Sequence, residues 1–95
     1  DIDIRHDAGD GFGQYVLVVD GQEVGELDHR DRDGVRTFSH TGVRASHRGH
    51  GLAARLVRRG LDDARSDGVR VVPQCWYVAQ YIGLHPDAAD LVVRA

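Results

Sequence analysis

The sequence predicts an α+β fold: a mostly antiparallel mixed sheet flanked by helices, in the order ββββ-α-β-α. Three observations point there. Up to Val43, apolar and polar residues alternate in short runs separated by Gly and Asp turns. After Gly51 the apolar spacing changes to three and four, at Leu52, Leu56, Val57, Leu61 and Ala64. The β-rich run VRVV then separates this helix from a second, CWYVAQYIGLH. Helices gathered behind consecutive strands form the α+β pattern. With 95 residues, the chain reads as one domain spanning 1–95. So small a domain encloses little volume, so a ligand is expected in a groove at an element boundary.

The elements follow in order. DIDIR puts Ile2 and Ile4 on one face of a first strand, and AGDGFG is a loop. YVLVV is β-branched and aromatic, and Asp20–Gly21 marks a tight hairpin turn before QEVGEL. DHRDRDG, ending at Gly34, reads as a polar turn. In VRTFSHTGV, alternation puts Val35, Thr37, Ser39, Thr41 and Val43 on one face, with Arg36, Phe38, His40 and Gly42 on the other. RASHRGHG is the loop into the first helix. That helix ends at Ser66-Asp67-Gly68, where Gly68 suits a left-handed cap. Pro73 stops the ladder of VRVV, Pro86 bounds the second helix, and DAADLVV is a terminal turn or short helix.

Composition narrows the function. The chain is 41% hydrophobic and 28% charged, and no apolar run approaches the roughly 18 residues of a membrane span. The N-terminus lacks the apolar core of a signal peptide. Cys75 is the only cysteine, so no internal disulfide forms, which fits a reducing cytoplasm. Residues 1–43 carry four Arg against ten Asp or Glu, whereas residues 44–70 carry seven Arg against three Asp. A modest basic patch of this kind suits a small polyanion rather than a nucleic-acid track. The arginines lack interleaved aromatics, and a solvated helix face at Arg55, Arg58, Arg59, Asp62 and Arg65 accounts for them. The histidines at 6, 29, 40, 47, 50 and 85 form no i, i+4 pair and have no cysteine at zinc spacing, so no metal site is expected.

The loop SHRGHG raises the chemical question. The first N–H groups of a helix lack internal partners, and its dipole makes that end partly positive. Gly49 and Gly51 let an anion approach this backbone, and Arg48 adds a side-chain charge. A diphosphate suits successive N–H groups. The alternative is a tight turn with a close helix–strand contact. A nucleoside-triphosphate phosphate loop is excluded because no lysine follows the glycines. Gly49, Gly51 and Ala54 match G-x-G-x-x-G/A, but antiparallel strands precede them and too little chain follows for a doubly wound sheet.

Arg48, Gly51 and Ala53 also match R/Q-x-x-G-x-G/A, the pyrophosphate-binding pattern of the GCN5-related N-acetyltransferase superfamily. From FSHTGVRASHRGHGLAARLV through GVRVVPQCWYV to HPDAADLV, the chain resembles the small, single-domain YjdJ-type branch of that superfamily. The resemblance covers roughly residues 15 to 92. It implies an acyl-CoA N-acyltransferase fold and acetyl-CoA as co-substrate. The acetyl acceptor it implies is an amine that the sequence does not identify.

The resemblance implies a cofactor contact along the backbone from Arg48 through Gly49, His50, Gly51 and Leu52 to Ala53. Val43 supplies a polarising N–H, with Arg44 beside it, and Tyr81 is a further candidate contact. Cys75, at a helix N-terminus, is either an acyl-accepting nucleophile or a small buried apolar residue. His40 is either the general base or structural. Tyr77 is either the proton donor to the leaving thiolate or core packing. One departure stands out: the branch reads His-Thr-Glu-Val where this chain has His40-Thr41-Gly42-Val43, so a carboxylate base is absent from that position. The rival reading is a noncatalytic coenzyme A or acyl-CoA binding module.

Overall fold

The computed structural model describes residues 1–94. Four strands form an antiparallel meander: β1 (Ile2–Ala8), β2 (Phe12–Val19), β3 (Gln22–Arg32) and β4 (Val35–Val43). Helix α1 (Leu52–Asp67) crosses over to β5 (Arg70–Pro73), which pairs parallel with β4, and α2 (Trp76–Leu84) follows. The sheet order is β1-β2-β3-β4-β5, which is the predicted fold class. The terminal segment becomes a 3-10 turn, Pro86–Leu91.

Helix α1 forms because its apolar stripe has a sheet to bury it. Leu56 and Ala64 are fully buried, and Leu52, Val57 and Leu61 nearly so, against Leu17, Val24, Leu27 and Phe38 of the sheet. Val78 and Ile82 of α2 and Leu91 join the same core. Gly60 lets α1 lie close to the sheet. A Cβ there would sit 2.7 Å from Leu27 Cδ2 and 3.0 Å from Phe38 Cε1. Among the described residues no helix is long and apolar enough to cross a membrane.

Two local expectations change. DHRDRDG is mostly strand: β3 runs to Arg32, and the turn is confined to Asp33 and Gly34, both with positive φ. Its polar residues tolerate the strand because they pair. His29 Nδ1 lies 2.9 Å from Asp31 Oδ1, and the buried Arg36 guanidinium donates to both Asp31 oxygens and to Asp67. The second change concerns β4. Its register against β3 skips Ser39, since His29 faces Phe38 while Asp28 faces His40. This bulge returns Thr41 to the face of Phe38, because Thr41 opposes the core residue Leu27. His40 and Gly42 therefore lie on the opposite, outer face and not, as alternation predicts, beside Phe38.

Candidate active site

The site begins where β4 and β5 part. Their ladder ends at Phe38 and Pro73, and the last link is the Cys75 N–H donating to Phe38 O at 2.9 Å. Beyond it the chain turns into α2, leaving β4 from Ser39 to Val43 without a neighbour on that side. Arg44 N–H donates to Val24 O at 2.8 Å, which makes Val43 and Gly25 a non-hydrogen-bonded pair. The N–H and C=O of Val43 thus point away from β3, into the opening.

The glycine loop closes this opening from below. Gly49 has φ 87° and Gly51, the N-cap of α1, has φ 72°. Both positions take the left-handed backbone conformation that favours glycine. A Cβ at either would meet nothing within 4 Å, so a close helix–strand contact is not the reason for them. The first α1 bond is Arg55 N–H to Gly51 O at 3.2 Å, and among the described residues the N–H groups from Gly49 to Ala54 donate to no backbone carbonyl. No acidic residue lies in the first turn to neutralise this positive end. Arg48 Nε donates to Val43 O at 2.9 Å, pinning its guanidinium between loop and strand.

The structure gathers most of the residues named from the sequence. A cleft of about 220 Å³ is lined by Val43, Arg48, Gly49, Gly51, Leu52, Ala53 and Tyr77, with His47. Five others lie outside its lining: Cys75 and His40, described below, and Tyr81, Arg44 and His50. Tyr81 lines a separate groove with Arg58 and stacks on His85 at 3.8 Å. Arg44 lines a groove with Glu23 and Glu26, and His50 is exposed outside the cleft walls.

Cys75 is the N-cap of α2, and its Sγ lies 3.5 Å from Thr41 Oγ1. Burial pushes the thiol up, but the Thr41 hydroxyl and the N–H groups of Val78, Tyr77 and Thr41 outweigh it, leaving Cys75 below the ordinary thiol value. Thr41 places this pair on the helix side of β4. His40 is on the other side, where its Nε2 lies 2.9 Å from Glu26 Oε2. Among the described residues no cluster of His, Cys, Asp or Glu could hold a metal ion.

Glu26 escaped the sequence reading. It faces Gly42 across the β3–β4 pair, and only the register, which the Ser39 bulge shifts, brings it to His40.

The candidate site is thus a mixed sheet whose parallel edge opens beside a glycine loop at a helix N-terminus. The profile of the GCN5-related N-acetyl-transferase family matches residues 14–91, and the chain belongs to that family. Among solved structures it is similar to the ribosomal-protein-S18-alanine N-acetyltransferase from Escherichia coli, with TM-score 0.69 and 17% identity over 82% of this chain and 54% of that one. It is similar to a GCN5-like protein from Staphylococcus aureus, with TM-score 0.70 and 16% identity over 96% and 89% of the two chains. A third is a GNAT family acetyltransferase from Brucella melitensis in complex with acetyl-CoA, with TM-score 0.59 and 22% identity over 73% of this chain and 51% of that one. The chain thus spans about half the length of the first and third. These likenesses establish the fold. No curated protein matches the chain.

Proposed function

We propose that residues 1–95 act as one acetyl-CoA-dependent N-acetyltransferase domain, working on an amine in a reducing, cytoplasmic setting. The observation that carries this reading is the meeting of three features in one cleft: the unpartnered N–H groups from Gly49 to Ala54, Arg48, and the open edge of β4 at Val43. The loop N–H groups and Arg48 bind the diphosphate of coenzyme A. The Val43 N–H polarises the thioester carbonyl as negative charge develops on its oxygen. The acceptor's nitrogen forms the N–C bond as the C–S bond breaks, with the electron pair leaving on sulfur. Tyr77 returns a proton to that sulfur, and His40 removes one from the nitrogen.

The placement of His40 and Cys75 on opposite sides of β4 supports direct transfer: the donor lies on the helix side and the amine enters from the outer face. In the double-displacement alternative, Cys75 takes the acetyl group first, and intact-mass measurement after acetyl-CoA exposure would show the adduct.

Calorimetry with coenzyme A is the test of the loop. Binding should be seen for the native chain and lost in Gly51→Glu, which adds a like charge and a side chain at φ 72°; equal affinities would refute the assignment. Acetyl-CoA with a lysine peptide, a free α-amine peptide and spermidine then separates enzyme from binding module. Binding without transfer to any of them would favour the module.

A further inference from the structure

The pair on the outer face of β4 is not explained by stability. Glu26 Oε2 lies 2.9 Å from His40 Nε2, with the two side chains 38% and 54% exposed. An exposed pair of this kind adds little to stability, whereas a glycine inside a strand weakens it. Yet Gly42 stands at this point of β4, and a Cβ there would come within 2.4 Å of Glu26 Oε2 and 3.1 Å of His40 Nε2. The carboxylate occupies the space that any side chain at 42 would fill. The arrangement sits one residue before Val43, at the opening.

We propose that Glu26 is a positioning residue for His40, reaching it through the gap left by Gly42, and that it fixes the imidazole with Nε2 protonated and Nδ1 free as the base. This rests on the acetyltransferase reading above. Glu26 accepts the Nε2–H hydrogen bond, which sets the tautomer and holds the ring over the outer face. The amine acceptor gives its proton to Nδ1 as its nitrogen bonds the acetyl carbon and the C–S bond breaks. The Glu26 carboxylate then faces the imidazolium, which passes the proton to water. Glu26 and Asp28 face the ring from β3, Gln14 of β2 holds Asp28 at 2.8 Å, and Glu23 and Arg44 share the groove beside Glu26.

Three measurements on the full chain test the pair: coenzyme A affinity, acetyl transfer from acetyl-CoA to the amine panel, and the 15N spectrum of the His40 ring. In the native protein the neutral ring should show a single Nε2–H tautomer. Glu26→Gln and Gly42→Ala should each lower kcat about tenfold, a part of the 10²–10⁴ that a positioned acid–base group supplies. KM for acetyl-CoA and coenzyme A affinity should stay unchanged, and the ring should become a tautomer mixture. Because Gly42 acts only by admitting Glu26, the double variant should be no slower than either single one. If Gly42→Ala does not fold, Glu26→Gln decides alone. Native transfer rates in Glu26→Gln, additive losses in the double variant, or an unchanged ring spectrum would each overturn the pair and leave the acetyltransferase reading standing. Coenzyme A binding with no native transfer to any amine would overturn that reading, and with it the catalytic use of the pair.

Discussion

Cys75 owes its chemistry to two neighbours that the chain brings from far away and from close by. Thr41 Oγ1, 34 positions earlier, lies 3.5 Å from its sulfur, and the first turn of α2 turns N–H groups toward it. Burial alone would raise the thiol pKa; these donors outweigh it and leave Cys75 below the ordinary thiol value. Thr41→Val keeps the shape of the side chain and removes the hydroxyl, so it should raise the Cys75 pKa. Iodoacetamide alkylation at neutral pH should slow about fivefold, the effect of one hydrogen bond worth ~1 kcal/mol. The midpoint of the alkylation pH profile should also move upward. A profile identical in both proteins would mean that the hydroxyl does not reach the sulfur in solution.

At the level of elements, two helical glycines predict opposite outcomes for one kind of change. Gly60 of α1 is buried, and an added Cβ would press on Leu27 and Phe38. Gly60→Val should therefore destabilise by about 2–3 kcal/mol, the cost of overpacking a filled contact. Gly83 lies in α2 with nothing within 4 Å of an added Cβ and no positive φ, so Gly83→Ala should stabilise by up to about 1 kcal/mol. Urea midpoints with unchanged slopes would read both; a stabilising Gly60→Val would mean that α1 rides higher off the sheet. The α1 stripe was legible in the sequence, since Leu52, Leu56, Val57, Leu61 and Ala64 keep helical spacing and all are buried. So was the Asp20–Gly21 turn, where both residues take positive φ. The loop glycines were legible for the same reason, because local backbone needs leave local marks. Gly60, the Ser39 bulge and Glu26 left no such mark. A bulge inserts a residue without changing composition, and it moves His40 and Thr41 to faces that alternation assigns the other way. Glu26 meets His40 only through pairing across strands, which a single strand does not encode.

Across the whole molecule, a polar network ties the meander to α1 and sets how stability depends on pH. His6 stacks on Tyr15 at 3.9 Å, and its Nε2 lies 2.9 Å from His29 Nε2. His29 turns its other nitrogen to Asp31, so its neutral form donates from Nδ1 and accepts at Nε2, where His6 must donate. Two imidazolium rings cannot share that contact. Burial chiefly, then His29, lowers the His6 pKa from 6.5, with Arg36 and Arg59 adding to this and Asp63 opposing it. A base whose folded pKa is depressed binds fewer protons in the native state, so its contribution is complete above pH 6.5 and fades as pH falls through the folded value. A second loss follows at lower pH. Burial raises the Asp31 and Asp63 carboxyls, but hydrogen bonds outweigh it, from Arg36 and His29 to Asp31 and from Tyr15 and Arg59 to Asp63. Both carboxyls end below 3.8, and their stabilisation fades only below that value. Tm should therefore decline below pH 6.5, and decline again below about pH 4. His6→Gln keeps an N–H donor for His29 but cannot titrate, so it should flatten the first decline and leave the second. A first decline as steep in His6→Gln as in the native chain would place the responsible proton elsewhere.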